Sequence, residues 1–361
     1  MVTTLLGMTT LLGTSDQPTH TDVDQLPDQA YRLEPLRGLD GLRARPRARP
    51  APGPGQVLVQ VRAASLNRRD LMLMDGTYPL SARPGVVPLS DGVGDVIEVG
   101  PGVTRAAVGD RVTGTYFRSW VAGPQRLAAV REQYGATHDG WLARYVLLEE
   151  ESVVHVPDHL TDAEAASLTC AAVAAWASVT KPTPPGPGET LLTVGSGAVA
   201  LSAIQFARVH GARVVAVTSS PQKAKRLREL GAHEVVDRTE TPAWDAAVRE
   251  LTGGDGAEHV VDAVGLPTLP KSVAAAAYNA RITLIGAFPA AAPITDPFGG
   301  NFVSIRRIAV GSRTDFEAMN RVLAAQRLRP VIARVFPFEA AGEAYRCLRD
   351  ENPFGKVVVT L

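Results

Sequence analysis

The chain has 361 residues, of which 45% are hydrophobic and 20% charged, with 37 basic side chains balancing 37 acidic ones. That length accommodates about two domains, each large enough to bury its own core, and the balanced charge sets up no field that would gather nucleic acid. The two cysteines, Cys170 and Cys347, form neither a disulfide framework nor a paired zinc knuckle, and no apolar run approaches the roughly 18 residues that span a bilayer, so a cytoplasmic protein without membrane or nucleic-acid partners is expected.

Residues 1–27 carry two Leu-Leu pairs broken by threonines, with no Lys or Arg before them and no small-residue cleavage site after them. They are expected to be a disordered tail and not a secretory signal. From Tyr31 to about Val156, short apolar runs alternate with Pro and Gly. Val57 to Val61, Val93 to Val99 and Ala143 to Leu148 read as strands, set off by turns such as Pro52-Gly53-Pro54-Gly55 and Gly100-Pro101-Gly102. The arginine-rich run Arg43 to Arg49 reads as an alternating, solvated edge.

After Pro157 the texture changes. An alanine-rich helical stretch, Ala163 to Val179, and a turn-rich connector, Pro182 to Gly188, lead into strand and helix patterns in alternation. Strands are expected at Thr190 to Val194, Arg213 to Thr218, Glu234 to Asp237, His259 to Val264, Arg281 to Gly286 and Arg306 to Gly311. The intervening helices fall at Ala198 to His210, Pro221 to Leu230, Ala243 to Leu251, Pro267 to Ala277 and, after the last strand, Thr314 to Gln326. Continuous apolar strands of this kind are buried on both faces, which predicts a doubly wound parallel sheet of the α/β class, with ligands at its carboxyl edge.

The first of these strands runs into Gly195-Ser196-Gly197-Ala198-Val199-Ala200, the glycine-rich turn that lets a backbone approach a pyrophosphate held at a helix N-terminus. A carboxylate at the end of the second strand would accept the ribose hydroxyls of NAD. Thr218, Ser219 and Ser220 stand there instead, followed by Lys223, and Arg238 lies just past the third strand. Hydroxyls and cations accept a 2′-phosphate, so NADPH is the expected cofactor.

A β-rich first half, a mid-chain dinucleotide unit and a C-terminal return ending Phe354-Gly355-Lys356-Val357-Val358-Val359, together with Gly109-Asp110-Arg111-Val112 and the Gly94 to Gly102 region, resemble the medium-chain dehydrogenase/reductase superfamily. The resemblance implies a GroES-like catalytic domain over residues 28–159 and 319–361, a Rossmann domain over 160–318, and an active site between them. Zinc-dependent members use Cys, His and Cys as ligands. The first two positions correspond here to Asn67 and Ser90, and only Cys170 remains. Neutral amide and hydroxyl oxygens are poor zinc donors, so no metal is expected.

What the resemblance then implies is the zinc-independent branch, a quinone reductase or enoyl reductase type of enzyme. It would pass hydride from NADPH to a small, apolar, conjugated substrate: an enone, an enoyl compound or a quinone. Asn67 and Arg69 are the expected catalytic pair, Arg69 either holding an oxygen anion or propping the loop through a salt bridge to Asp70 or Asp91. Ala174 stands where many relatives have a cofactor-binding Thr. Val264, Gly265, Gly286, Ala287, Phe288, Gly311 and Ser312 are further expected cofactor contacts, and Tyr78, Tyr116, Phe117 and Trp120, with Phe288, are expected to face substrate. The segment Arg118 to Gly140 is expected as a lid or an oligomer contact. Two alternatives stay open: a pathway-specific reductive cyclase of natural-product biosynthesis, and a cofactor-binding protein without turnover. A homo-oligomer, dimer or tetramer, paired through Rossmann edge strands is also implied.

Overall fold

The apolar strand patterns fold into two sheets in a computed structural model that describes residues 28–286 and 293–361. In the second half, six strands pair in parallel in the spatial order Glu234–Asp237, Arg213–Thr218, Thr190–Val194, Ala257–Asp262, Ala276–Leu284, Ser304–Arg307. Numbered along the chain, this is 3-2-1-4-5-6, the doubly wound order, whose direction reverses between Thr190–Val194 and Ala257–Asp262. A crevice therefore opens at the carboxyl ends of these two strands. The helix Ala198–Val209 lies over the sheet because its apolar residues recur at helical spacing, burying Leu201, Ile204 and Phe206. Phe206 meets Trp176 of the helix Val173–Thr180 edge to face, with centroids 5.3 Å apart.

The first half builds a mostly antiparallel sheet of seven strands around the long strand Gln56–Ser65. Its order is Ile332–Pro337, Lys356–Thr360, Gln56–Ser65, Asp91–Val99, Arg111–Gly114, Val153–His155, with Tyr145–Glu149 pairing with Gln56–Ser65. The two strands nearest the C-terminus return to this sheet, so the start and end of the chain share one core, which includes Val57, Val59, Trp141, Tyr345 and Val357. The run Leu42–Arg47 pairs antiparallel with Asp28–Leu33 and is largely exposed.

Four expectations shift. The helix Arg313–Gln326 is continuous through the expected domain boundary at 318/319, so the return to the first sheet falls after it, at Ile332–Pro337. The alanine-rich stretch is not one helix but Asp162–Ala165, a π-helical turn Leu168–Ala172 and Val173–Thr180. The helix expected over Pro267 to Ala277 is only Leu269–Ala274, because Ala276 and Ala277 open a strand and Ala276 registers with Ala257; sheet pairing overrides alanine's helical propensity. The last parallel strand is Ser304–Arg307, which leaves Gly311 beyond the sheet. Residues 1–27, Ala287 and Phe288 lie outside the described residues.

Candidate active site

The strand Gln56–Ser65 is joined to the helix Arg68–Met74 by Leu66 and Asn67, with Asn67 at the helix N-cap. The Asp70 carboxylate accepts the Asn67 backbone N–H at 2.7 Å, which fixes the first turn and buries both side chains. The final strand runs antiparallel beside it: Val358 faces Ser65, and the Leu66 N–H donates to the Val357 carbonyl at 3.0 Å. That register delivers Lys356 to Asn67. Gly355 makes the approach possible, since its φ is +120° and a Cβ there would lie 2.5 Å from the Val331 carbonyl oxygen.

The Lys356 ammonium is buried and donates to Asn67 Oδ1 at 2.5 Å and to Asp91 Oδ2 at 3.3 Å. Asp91 in turn accepts the Ser90 hydroxyl at 2.7 Å and the Cys170 backbone N–H, from the π-helical turn, at 3.2 Å. Of the three positions compared with zinc ligands, Asn67 thus binds an internal cation directly, and Ser90 and Cys170 hold the Asp91 carboxylate that pairs with it. Burial, reinforced by the Asp91 carboxylate, pushes the Cys170 thiol up to about 12, so it is neutral at physiological pH. A neutral amide, a hydroxyl and a protonated thiol beside an ammonium do not suit zinc. Among the described residues, no group of three or more His, Cys, Asp or Glu is arranged to hold a metal ion.

Arg69 is buried, but it makes neither of the salt bridges expected of it. Its guanidinium donates to the Tyr134 carbonyl at 3.0 Å and to Gln133 Oε1 at 3.2 Å, and stacks over the rings of Tyr116 at 4.5 Å and Tyr78 at 5.4 Å. Asp70 is left to act on it at longer range; desolvation raises the Asp70 carboxyl to about 6 against the pull of Arg69. Arg69 therefore anchors the 133–134 segment within Arg118 to Gly140, the region expected as a lid. Arg69→Met would strand the Tyr134 carbonyl and leave Gln133 Oε1 only the Tyr78 hydroxyl, and is expected to destabilise the fold by about 2 kcal/mol in denaturant unfolding; unchanged stability would remove the anchoring role.

Tyr78 and Tyr116 join hydroxyls at 2.8 Å beside Arg69. Phe117, expected to face substrate, is instead fully buried between Tyr116 and Trp120, in edge-to-face contact with both. Trp120 donates its indole N–H to the Gly123 carbonyl at 3.0 Å.

At the parallel sheet, Gly195 has φ +107° and leads into Ser196 and Gly197, which precedes the helix Ala198–Val209. A Cβ on Gly197 would meet no atom within 4 Å, and no side chain caps this helix. Its first amides are thus open to a phosphate, and Ala198 and Val199 lie in its first turn. Thr218 Oγ1 donates to Ser196 Oγ at 3.2 Å and ties the second strand's end to this turn. Ser219 is exposed, Ser220 is half-buried, and the Arg238 N–H donates to the Thr218 carbonyl at 2.9 Å, bringing exposed Arg238 alongside. Lys223 differs from expectation: its ammonium donates to the Asn352 carbonyl at 2.7 Å, on the other half of the molecule.

Glycine serves a different purpose on the opposite side of the crevice. Gly265 and Gly286 are pressed against each other's backbones, Gly311 is packed against Val173, and Ser312 caps the helix Arg313–Gln326 by accepting the Asp315 N–H. Sequence reasoning missed Asp262, whose carboxylate accepts the N–H groups of Val264 and Gly265 at 2.9 and 2.8 Å and the hydroxyls of Thr268 and Ser272. It also missed Lys356, and it paired Asp91 with Arg69 instead of with Lys356. A lysine opening an otherwise apolar strand was the available signal, because a charge in such a place needs a buried partner.

Two family models match the chain: the alcohol dehydrogenase GroES-like domain over residues 53–158 and zinc-binding dehydrogenase over residues 198–325. A zinc-type alcohol dehydrogenase-like protein of Schizosaccharomyces pombe is 36% identical over 316 residues, 85% of this chain and 91% of the relative. An acryloyl-coenzyme A reductase of Metallosphaera sedula is 30% identical over 326 residues, 86% of this chain and 94% of the relative. Among solved structures, an NAD-dependent alcohol dehydrogenase matches with a TM-score of 0.81 at 32% identity, covering 92% of this chain and 99% of that one. A mycobacterial protein complexed with NADPH matches with a TM-score of 0.77 at 27% identity, covering 92% and 100%.

A GroES-like domain joined to a doubly wound sheet with an open glycine turn defines a two-domain oxidoreductase that works with a nicotinamide dinucleotide. The chain belongs to the medium-chain dehydrogenase/reductase superfamily. Among the described residues, no helix is long and apolar enough to cross a membrane.

Proposed function

We propose that the protein is a zinc-independent reductase that takes hydride from NADPH to an electron-poor C=C bond of an enone or enoyl compound, or to a quinone. The observation that carries this reading is the buried Lys356 ammonium bonded to Asn67 and to Asp91, the carboxylate that Ser90 and the Cys170 N–H hold. With a protein cation already there, a developing oxygen anion would be met by hydrogen-bond donors and not by a Lewis acid. Similarity to an acryloyl-coenzyme A reductase supports a conjugated acceptor. The hydroxyls of Ser219 and Ser220 and the guanidinium of Arg238 support NADPH over NADH, since each suits a 2′-phosphate.

The test is oxidation of NADPH by chelator-treated enzyme with enones, short enoyl thioesters and quinones, beside oxidation of simple alcohols with the oxidised cofactor. Turnover of conjugated acceptors that persists under chelation is expected. Activity confined to alcohols and restored by added zinc would overturn the reading.

A further inference from the structure

The Asn67 side chain carries an unspent hydrogen-bond donor. An ammonium has only donors to offer, so the atom facing Lys356 must be the amide oxygen, and the orientation of the carboxamide is dictated by chemistry. The other end, Nδ2, is buried and has no partner. A buried donor without an acceptor is costly in a folded protein, and it is accounted for when a ligand brings the acceptor. The cost of burying Lys356 is offset by Asp91, which Ser90 and the Cys170 N–H hold in place.

We infer that Lys356 is a positioning residue for the reaction: by fixing Asn67 Oδ1 it presents Asn67 Nδ2–H to the substrate's carbonyl oxygen, with its own charge immediately behind. This rests on the metal-free reductase reading above. A bound dihydronicotinamide would supply hydride, with its electron pair, to the β-carbon of the conjugated acceptor. The C=C π electrons shift toward oxygen, giving an enolate that accepts the Asn67 N–H. Water then protonates the α-carbon and its hydroxide takes up a proton from bulk solvent, leaving a saturated carbonyl compound and the oxidised nicotinamide. The donor is held before charge develops, so no reorganisation is needed as the enolate forms.

The test is a double-mutant cycle on an enone that the chelated wild type reduces, using Lys356→Met, Asn67→Ala and the pair, with Lys356→Arg as the conservative variant. NADPH affinity from nicotinamide fluorescence and the melting temperature are followed in each. Loss of the Asn67 donor is expected to lower kcat roughly 100-fold, the effect typical of one oxyanion donor. Lys356→Met is expected to lower kcat about tenfold or more with KM and NADPH affinity little changed, and Lys356→Arg to recover most of it. The double variant is expected to be no slower than Asn67→Ala, because Lys356 acts through Asn67.

Wild-type kcat in Lys356→Met, or losses that multiply in the double variant, would overturn the inference while leaving the reductase reading intact. A wild type inactive under chelation would overturn both. Should Lys356→Met fail to fold, Asn67→Asp keeps the acceptor for Lys356 and the shape but removes the N–H; full activity in that variant likewise overturns the inference.

Discussion

On the proposed NADPH reading, Ser219→Asp is expected to reverse the cofactor preference, raising the NADPH dissociation constant about 100-fold while leaving NADH binding equal or tighter. Ser219 follows the strand Arg213–Thr218 and is exposed, with Arg238 brought alongside by the bond from its N–H to the Thr218 carbonyl at 2.9 Å. A carboxylate there would accept ribose hydroxyls but face the 2′-phosphate at close range. Two unit charges 4 Å apart repel by about 1 kcal/mol in bulk water and about 4 kcal/mol at the effective dielectric of a protein surface. A factor of 100 needs roughly 2.7 kcal/mol and falls between these limits. Arg238→Ala is the complementary change, expected to weaken NADPH about tenfold and NADH hardly at all. Titrations by nicotinamide fluorescence decide it, and a Ser219→Asp variant that binds NADPH as the wild type does would place the phosphate elsewhere.

Lys223 illustrates where a sequence stops being informative. Its position in the first turn after Ser220 is legible, but its bond to the Asn352 carbonyl is not, because the two residues meet only once both halves of the chain have folded. The same holds for Arg69. Its place next to Asn67 was plain, while its partners Gln133, Tyr134, Tyr116 and Tyr78 come from separate loops. By contrast, Thr190–Val194, Arg213–Thr218, Pro221–Leu230 and Glu234–Asp237 were legible to the residue. There the apolar period and the turn residues agree, and local preference and tertiary burial point the same way. Where they disagree, as at Ala276 and Ala277, the neighbouring strand wins. Periodicity identifies the buried face of an element, but it does not say which polar group will be waiting inside. For that reason the resemblance singles out Asn67, and a charge at the head of an apolar strand marks Lys356, but neither signal says that the two meet across 289 positions.

The glycines of the crevice fall into two kinds, and substituting one of each is expected to separate folding from ligand binding. A Cβ on Gly286 would stand 1.9 Å from the Val264 carbonyl oxygen and 2.6 Å from the Gly265 nitrogen, and one on Gly265 would stand 2.5 Å from the Gly286 oxygen. These are backbone atoms, held by the bonds from the Val264 and Gly265 N–H groups to the buried Asp262 carboxylate, so they cannot swing aside as a side-chain tip would. Gly286→Ala must force apart the carboxyl ends of Ala257–Asp262 and Ala276–Leu284, an overpacking expected to destabilise by about 3 kcal/mol, the upper end for such changes, and to weaken either nicotinamide cofactor as well. Gly197→Ala meets no atom within 4 Å and is expected to leave the unfolding midpoint unchanged. Its methyl group would project where a pyrophosphate approaches the open helix amides, so the cofactor dissociation constant should rise about tenfold, equivalent to roughly 1.4 kcal/mol. Equal losses of stability in both variants would mean that Gly197 also serves packing; loss of binding with stability retained in Gly197→Ala alone would mark the cofactor's side of the crevice.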